Sequence, residues 1–299
     1  MALARSSSGS PAPAVSSRHY LLALGDSLAA GYQPTDGASP PPKNPATGYP
    51  DAGYPGSYAS DIASNRGLDL IDLACPGETT ASMTSTPAEA ACASAYKAEF
   101  GVANQITAAK AFLAAHRSQV AIVTFDLGAN DIDGCADSGG VSLSCINAGE
   151  SRIAAQLPAI VGEIRQLLKT DDPKALFVAM NYYDPFLGAA YSPGGLTGSL
   201  ASTLSVGAAQ LLNTRLATIY AHDSVPVADV AAAFSTSKLL PMQIYGGHKL
   251  PFDVAEICRL TWMCPLPGSA QKANIHATTV GYRVIARTFE KILSTGTRT

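Results

Sequence analysis

Residues 20–28 read Tyr-Leu-Leu-Ala-Leu-Gly-Asp-Ser-Leu, an apolar run that ends in a turn-forming Gly25-Asp26-Ser27. A short run with no polar alternation suits a strand buried on both faces, the habit of a parallel sheet. Working outward, similar runs recur at 120–125 and 175–180, with a weaker one at 225–228. Another, at 68–73, is interrupted by Asp69 and Asp72, which places it nearer a sheet edge. Between these runs, apolar residues recur at three and four in 57–65, 102–116, 150–168, 199–220 and 278–293, the spacing of helices with one buried face. Strand and helix alternate. The order predicts an α/β fold: an open, doubly wound parallel sheet of about five strands, helices on both faces, and a site at the carboxyl ends of the strands. The Pro- and Gly-rich connections at 33–56, 75–101, 128–149, 182–198 and 234–275 are expected to be loops, and loops this long usually carry function. Residues 1–18 read as a flexible Ser/Pro/Ala tail and 19–295 as a single domain.

Composition narrows the classes. The 299 residues are 47% hydrophobic and 14% charged, so a large interior can be buried. A net charge of −3 with no clustering of Lys or Arg leaves no electrostatic footprint for nucleic acid. No apolar run is long enough to span a membrane, and no apolar leader precedes the first strand. The six cysteines fall into local pairs, Cys75–Cys92, Cys135–Cys145 and Cys258–Cys264. Local pairing is the simplest disulfide connectivity, although buried free thiols would also fit an apolar chain. No His/Cys set has zinc spacing, so no metal is expected. Disulfides imply an oxidising compartment, hence a secreted protein.

Ser27 follows the first strand, where a hydroxyl can project from the sheet edge, yet a Ser at that point is also an ordinary helix cap. Two further segments each follow a strand: Cys75-Pro76-Gly77-Glu78 and Gly128-Ala129-Asn130-Asp131. Acyl transfer needs donors already aimed at an oxyanion. The amides of Ser27 and Gly77 and the side chain of Asn130 would supply three. Among five histidines, His276, in Asn274-Ile275-His276-Ala277-Thr278 just before the last helix, is the candidate base. A helix amino terminus nearby disfavours imidazolium. Tyr182 and Tyr183, after the fourth strand, would line a substrate groove or pack the core. Trp262 is equally open to either reading.

These four segments, in this order, resemble the blocks of the SGNH, or GDSL, hydrolase family. The resemblance covers most of the chain. It implies a flavodoxin-like three-layer α/β/α sandwich, with Ser27 as nucleophile, Gly77 and Asn130 in the oxyanion hole and His276 as base. One departure stands out: the family's last block usually reads Asp-x-x-His, and here the position three before His276 is Ala273. The backbone carbonyl of Ala273 would then orient the imidazole, giving a Ser–His dyad, or Asp253 would approach from a loop. Asn274 is set aside at this stage because an amide carries no charge.

The expected activity is that of a secreted serine esterase or lipase, acting as a monomer without cofactor on a lipid or small-molecule ester through an acyl-enzyme on Ser27. A carbohydrate acetylesterase would use the same groups. A non-catalytic ligand-binding module of the same fold is the reading from a different class, suggested by the absent Asp.

Overall fold

A computed structural model of the chain describes residues 18–34, 56–85, 92–137, 140–191, 196–266, 269 and 272–295. The tail at 1–18 lies outside these residues except for Arg18, and so do parts of the long connections. In chain order the elements are β1 (Tyr20–Leu24), α1 (Tyr58–Arg66), β2 (Asp69–Asp72), α2 (Ala93–Phe100), α3 (Gln105–Ala115), β3 (Val120–Phe125), the short β4 (Ala136–Asp137) and β5 (Gly140–Val141), and α4 (Leu143–Asp171). There follow β6 (Leu176–Met180), α5 (Leu196–His222), β7 (Val227–Ala228), α6 (Val230–Ala233), β8 (Gln243–Tyr245), β9 (His248–Leu250), α7 (Phe252–Leu260) and α8 (Thr279–Thr295).

The five parallel strands lie in the order β2-β1-β3-β6-β7, which is the flavodoxin-like order with a switch point between β1 and β3. The apolar runs explain it. Leu21 to Leu24 and Val123 to Phe125 are buried, because helices pack on both sides of the central strands. The Asp-interrupted β2 lies at the edge, as its sequence predicts. Two helical groups flank the sheet: α1 and α8 with α6 and α7, and α3, α4 and α5 with α2. Among the described residues no helix is long and apolar enough to cross a membrane.

The first helix lies where its spacing predicts: residues 27–31 form a turn, and α1 begins at Tyr58, capped by the Ser57 hydroxyl, which accepts from the Ser60 amide at 3.0 Å. Two sequence expectations are corrected. The helix expected from residue 150 starts at Leu143, where Ser142 caps it. Gly149 hid that first turn by breaking the apolar spacing, and it is required there because a Cβ would sit 2.3 Å from the Asp131 carbonyl oxygen. Lastly, α2, α7 and the β8–β9 hairpin occupy stretches expected to be loops. Disulfides join Cys75 to Cys92, Cys135 to Cys145 and Cys258 to Cys264.

Candidate active site

The β1 terminus sets the geometry of the turn that carries Ser27. Gly25 has φ +138° and abuts the next strand so closely that a Cβ would lie 2.2 Å from both the carbonyl oxygen and Oδ1 of Asp126. Only glycine fits. The Asp26 amide donates to Asp126 Oδ1 at 2.8 Å, and the Tyr58 hydroxyl donates to Asp126 Oδ2 at 2.8 Å. Asp26 in turn accepts from the Leu28 amide at 2.9 Å and from the Tyr182 hydroxyl at 2.7 Å. Both carboxyls are buried, and burial pushes Asp26 up to about 6 and raises Asp126 as well. Ser27 stands at the apex of this braced turn.

His276 arrives from the other end of the chain, on the segment between α7 and α8. That segment is pinned to the end of α7 by backbone bonds, Trp262 N–H to His276 O at 2.9 Å, Asn274 N–H to Trp262 O at 3.0 Å and Thr278 N–H to Leu260 O at 2.8 Å. The Cys258–Cys264 disulfide closes the same corner. The Tyr183 hydroxyl donates to the Ile275 carbonyl at 2.8 Å, and the Tyr32 ring lies 4.6 Å from the imidazole.

Ser27 Oγ and His276 Nε2 are 2.7 Å apart. On the other side of the ring, Nδ1 lies 2.6 Å from Asn274 Oδ1. This corrects the expectation that the Ala273 carbonyl or Asp253 would hold the imidazole. Asp253 is buried in the first turn of α7, where its Oδ1 accepts from the Val254 amide at 2.8 Å. The Asn274 oxygen also accepts from the His276 backbone N–H at 3.0 Å, and that second bond identifies it as the oxygen and not the NH2 group. An amide oxygen can only accept, so Nδ1 carries the ring proton and Nε2 presents a lone pair to the serine hydroxyl. Burial pushes the imidazole down to about 4. The ring is therefore a neutral acceptor at ordinary pH.

The expected oxyanion donors approach from two neighbouring turns. Gly77 has φ +85° in the turn closed by the Glu78 amide on the Cys75 carbonyl, 3.0 Å. Gly77 is exposed and does not line the pocket described below, whereas Asn130 does. Asn130 lies in a 3-10 turn after β3, and its side-chain NH2 donates to the Glu78 carbonyl at 2.9 Å. Asp131 ties the same two segments by accepting from the amide and hydroxyl of Thr80 at 2.9 and 2.8 Å.

One buried residue that sequence reading missed links the Ser27 turn to the Glu78 segment. The Gln105 side chain accepts from the Gly25 amide at 2.6 Å and donates to both the Gly25 carbonyl and Glu78 Oε2 at 2.9 Å. The Ser82 hydroxyl donates to the other Glu78 oxygen. Burial pushes Glu78 up to about 7. A glutamine opening a helix gives no signal of such a role, because it reads as a solvated first-turn residue.

Beside Ser27 and His276 lies a pocket of about 810 Å³, part of it open to solvent. Ile132, Ile146, Phe186 and Leu212 make it chiefly apolar. Tyr182 and Tyr183 line it and are buried, so they meet both sequence readings at once: Tyr182 braces Asp26, and Tyr183 stacks on Phe234 with ring centroids 4.3 Å apart. Asp133, also in the wall, is pushed up to about 8 by burial and by the charges of Asp26 and Asp184. Among the described residues no His, Cys, Asp and Glu cluster could hold a metal ion.

A serine hydroxyl on the lone pair of an oriented imidazole, beside an apolar pocket, is an arrangement able to form and discharge an acyl ester. Comparison with known proteins identifies the fold and the family. The fold is similar to that of the extracellular lipase of Streptomyces rimosus, 20% identical, covering 91% of this chain and 99% of that one, with a TM-score of 0.52. It is also similar to that of phospholipase A1 from Streptomyces albidoflavus NA297, 17% identical, covering 92% and 99%, with a TM-score of 0.54. No curated protein matches the sequence. Residues 23–284 match the GDSL-like Lipase/Acylhydrolase family, and the chain belongs to that family.

Proposed function

We propose that this protein is a secreted serine esterase that hydrolyses carboxylic esters carrying an apolar acyl chain, lipid esters among them, through an acyl-enzyme on Ser27. The observation that carries the reading is the 2.7 Å contact between Ser27 Oγ and His276 Nε2 beside the apolar pocket. In the first step Nε2 takes the hydroxyl proton as Oγ attacks the ester carbonyl carbon. The oxyanion is met by the amides of Ser27 and Gly77 and by the Asn130 NH2 hydrogen that does not point at the Glu78 carbonyl. The imidazolium then returns the proton to the leaving alkoxide, and the alcohol departs. Water, deprotonated by the same nitrogen, releases the acid and restores Ser27. Throughout, Asn274 Oδ1 accepts from Nδ1–H and holds the ring.

The apolar wall favours this reading over a carbohydrate acetylesterase, since Ile132, Ile146, Phe186 and Leu212 match an acyl chain and offer a sugar's hydroxyls no hydrogen bonds. Three disulfides support secretion, as does the likeness to a lipase described as extracellular. The test is hydrolysis of p-nitrophenyl esters of graded chain length. Activity is expected to rise from acetate to medium chains and to vanish in Ser27→Ala, while a fluorophosphonate should label Ser27 in the folded wild type. A Ser27→Ala protein with wild-type turnover, or an unlabelled serine, would return the chain to the binding-module reading.

A further inference from the structure

The stretch from Val230 to Phe252 contains no Asp or Glu, in a chain of net charge −3, but it contains Lys238, His248 and Lys249. It is also where large apolar side chains stand in solvent: Leu239, Leu240 and Ile244 are 62%, 69% and 63% exposed, and Met242 is exposed beside them. A soluble domain ordinarily scatters such residues, and a contiguous set rimmed by cations marks a surface that meets something.

The lobe is built, not frayed. In the β8–β9 hairpin Ile244 pairs with Lys249, and strand alternation turns both outward while Gln243, Tyr245 and Leu250 lean on the body. The Tyr245 hydroxyl donates to the Cys264 carbonyl at 3.0 Å, and backbone bonds from Phe252 and Asp253 to the carbonyls of Leu239 and Lys238 close the base of the lobe at 3.1 and 2.9 Å. Lys238 is held with its ammonium 4.6 Å from the Phe252 ring centre. The lobe abuts the pocket wall, since the Tyr191 ring packs edge-on against Tyr245 and His248 at 5.4 and 5.3 Å and caps the 3-10 helix whose Pro185 and Phe186 line the pocket.

We infer that this lobe docks the enzyme on an anionic phospholipid surface, with Leu239, Leu240, Met242 and Ile244 entering the acyl boundary and Lys238 and Lys249 meeting the headgroup phosphates. Apolar insertion and cation attraction are the two contributions that hold a peripheral protein on a bilayer, and both are present on one rigid hairpin. The inference rests on the esterase reading for its purpose, because it names the physical state in which the substrate is met, but the binding itself needs no catalysis.

The experiment compares otherwise wild-type protein with a Leu240→Asp, Ile244→Asp double variant, both residues lying outside the catalytic groups. Sedimentation is measured with vesicles of equal phosphatidylglycerol and phosphatidylcholine and with phosphatidylcholine alone, using a Ser27→Ala background so that lipid is not consumed. Binding is expected for the mixed vesicles, weaker with phosphatidylcholine or raised salt, and at least roughly tenfold weaker in the double variant. With Ser27 intact, the double variant should hydrolyse dissolved p-nitrophenyl butyrate at the unaltered rate. Equal sedimentation of both proteins, or none by either, overturns the inference. So does a dimer in analytical ultracentrifugation that the double substitution abolishes without changing vesicle binding. Vesicle binding by a protein inactive on every dissolved ester would leave the docking surface standing and remove the esterase reading instead.

Discussion

Asn274 Oδ1 accepts two hydrogens from one residue, the backbone N–H and the ring Nδ1–H of His276, at 3.0 and 2.6 Å. A single amide oxygen thereby fixes the position of the imidazole and its tautomer. Unlike a carboxylate it offers the imidazolium a dipole, not a charge. Replacing Asn274 by Ala is expected to lower kcat/KM by roughly tenfold to a hundredfold, the worth of a hydrogen bond to a group that becomes charged. Asn274→Asp should keep the bond and add the charge, raising the affinity of the ring for its proton. Steady-state kinetics across pH would show it as an acid limb displaced upward, and an Asn274→Ala enzyme with full activity would mean that another group orients the ring.

The wild-type acid limb should itself lie low. Burial pushes His276 down to about 4, and the base must be neutral to accept the serine proton. The profile of kcat/KM is therefore expected to stay flat as pH falls through the ordinary imidazole range near 6.5 and to drop only close to 4. A limb at the ordinary value would show that water reaches the ring freely.

Gln105 touches no substrate but spans the nucleophile turn and the Glu78 segment with three bonds. Gln105→Leu leaves buried donors and acceptors unmatched, which costs on the order of 2 kcal/mol or more of stability. Well below the melting temperature, the folded fraction should show a reduced kcat with KM little changed, because the donors for the oxyanion are misplaced and the acyl pocket is not. Loss of stability with unaltered kcat would assign Gln105 a purely structural part.

Stability should also depend on pH in an uncommon direction. Asp26, Glu78 and Asp184 are buried, and burial pushes them up to about 6, 7 and 6. A carboxyl that holds its proton more tightly folded than unfolded subtracts stability as pH rises from the unfolded value near 4 through the folded one. His276, pushed down, subtracts stability in the opposite sense, as pH falls below about 6.5. Three carboxyls outweigh one imidazole across this range. Calorimetry is expected to give a Tm at about pH 5.5 higher than at about pH 8 by at least roughly 2–4 °C, the shift that 1 kcal/mol produces in a domain of this size. A Tm that falls on this acidification would contradict the ordering.

Much of the frame was legible because it rests on local signals. The runs that became β1, β3 and β6 are apolar without alternation, and each cysteine pair closes a short span, so neither needed long-range information. The helix α7 was hidden because nine residues between Pro251 and a Pro-rich stretch carry too few periods to stand out. Asn274 was set aside on a criterion of charge. The signal present was spacing, since an asparagine side chain commonly accepts from the backbone N–H two residues on, and the ring of that second residue is then within reach. Gln105 had no signal at all, because its partners are 80 and 27 residues away and meet it only in the folded sheet.

The separation of Ser27 and His276 by 249 residues has a consequence for biosynthesis. The strand that leads into Ser27 leaves the ribosome among the first elements, and the corner that carries His276 is among the last. Through nearly the whole of synthesis the growing chain holds a serine with nothing to deprotonate it. Assembly of the site is thus delayed: the Ser27–His276 contact cannot form until the segment between α7 and α8 has been made. The same arrangement means that a protease clipping between α7 and α8 would silence it and leave the sheet intact.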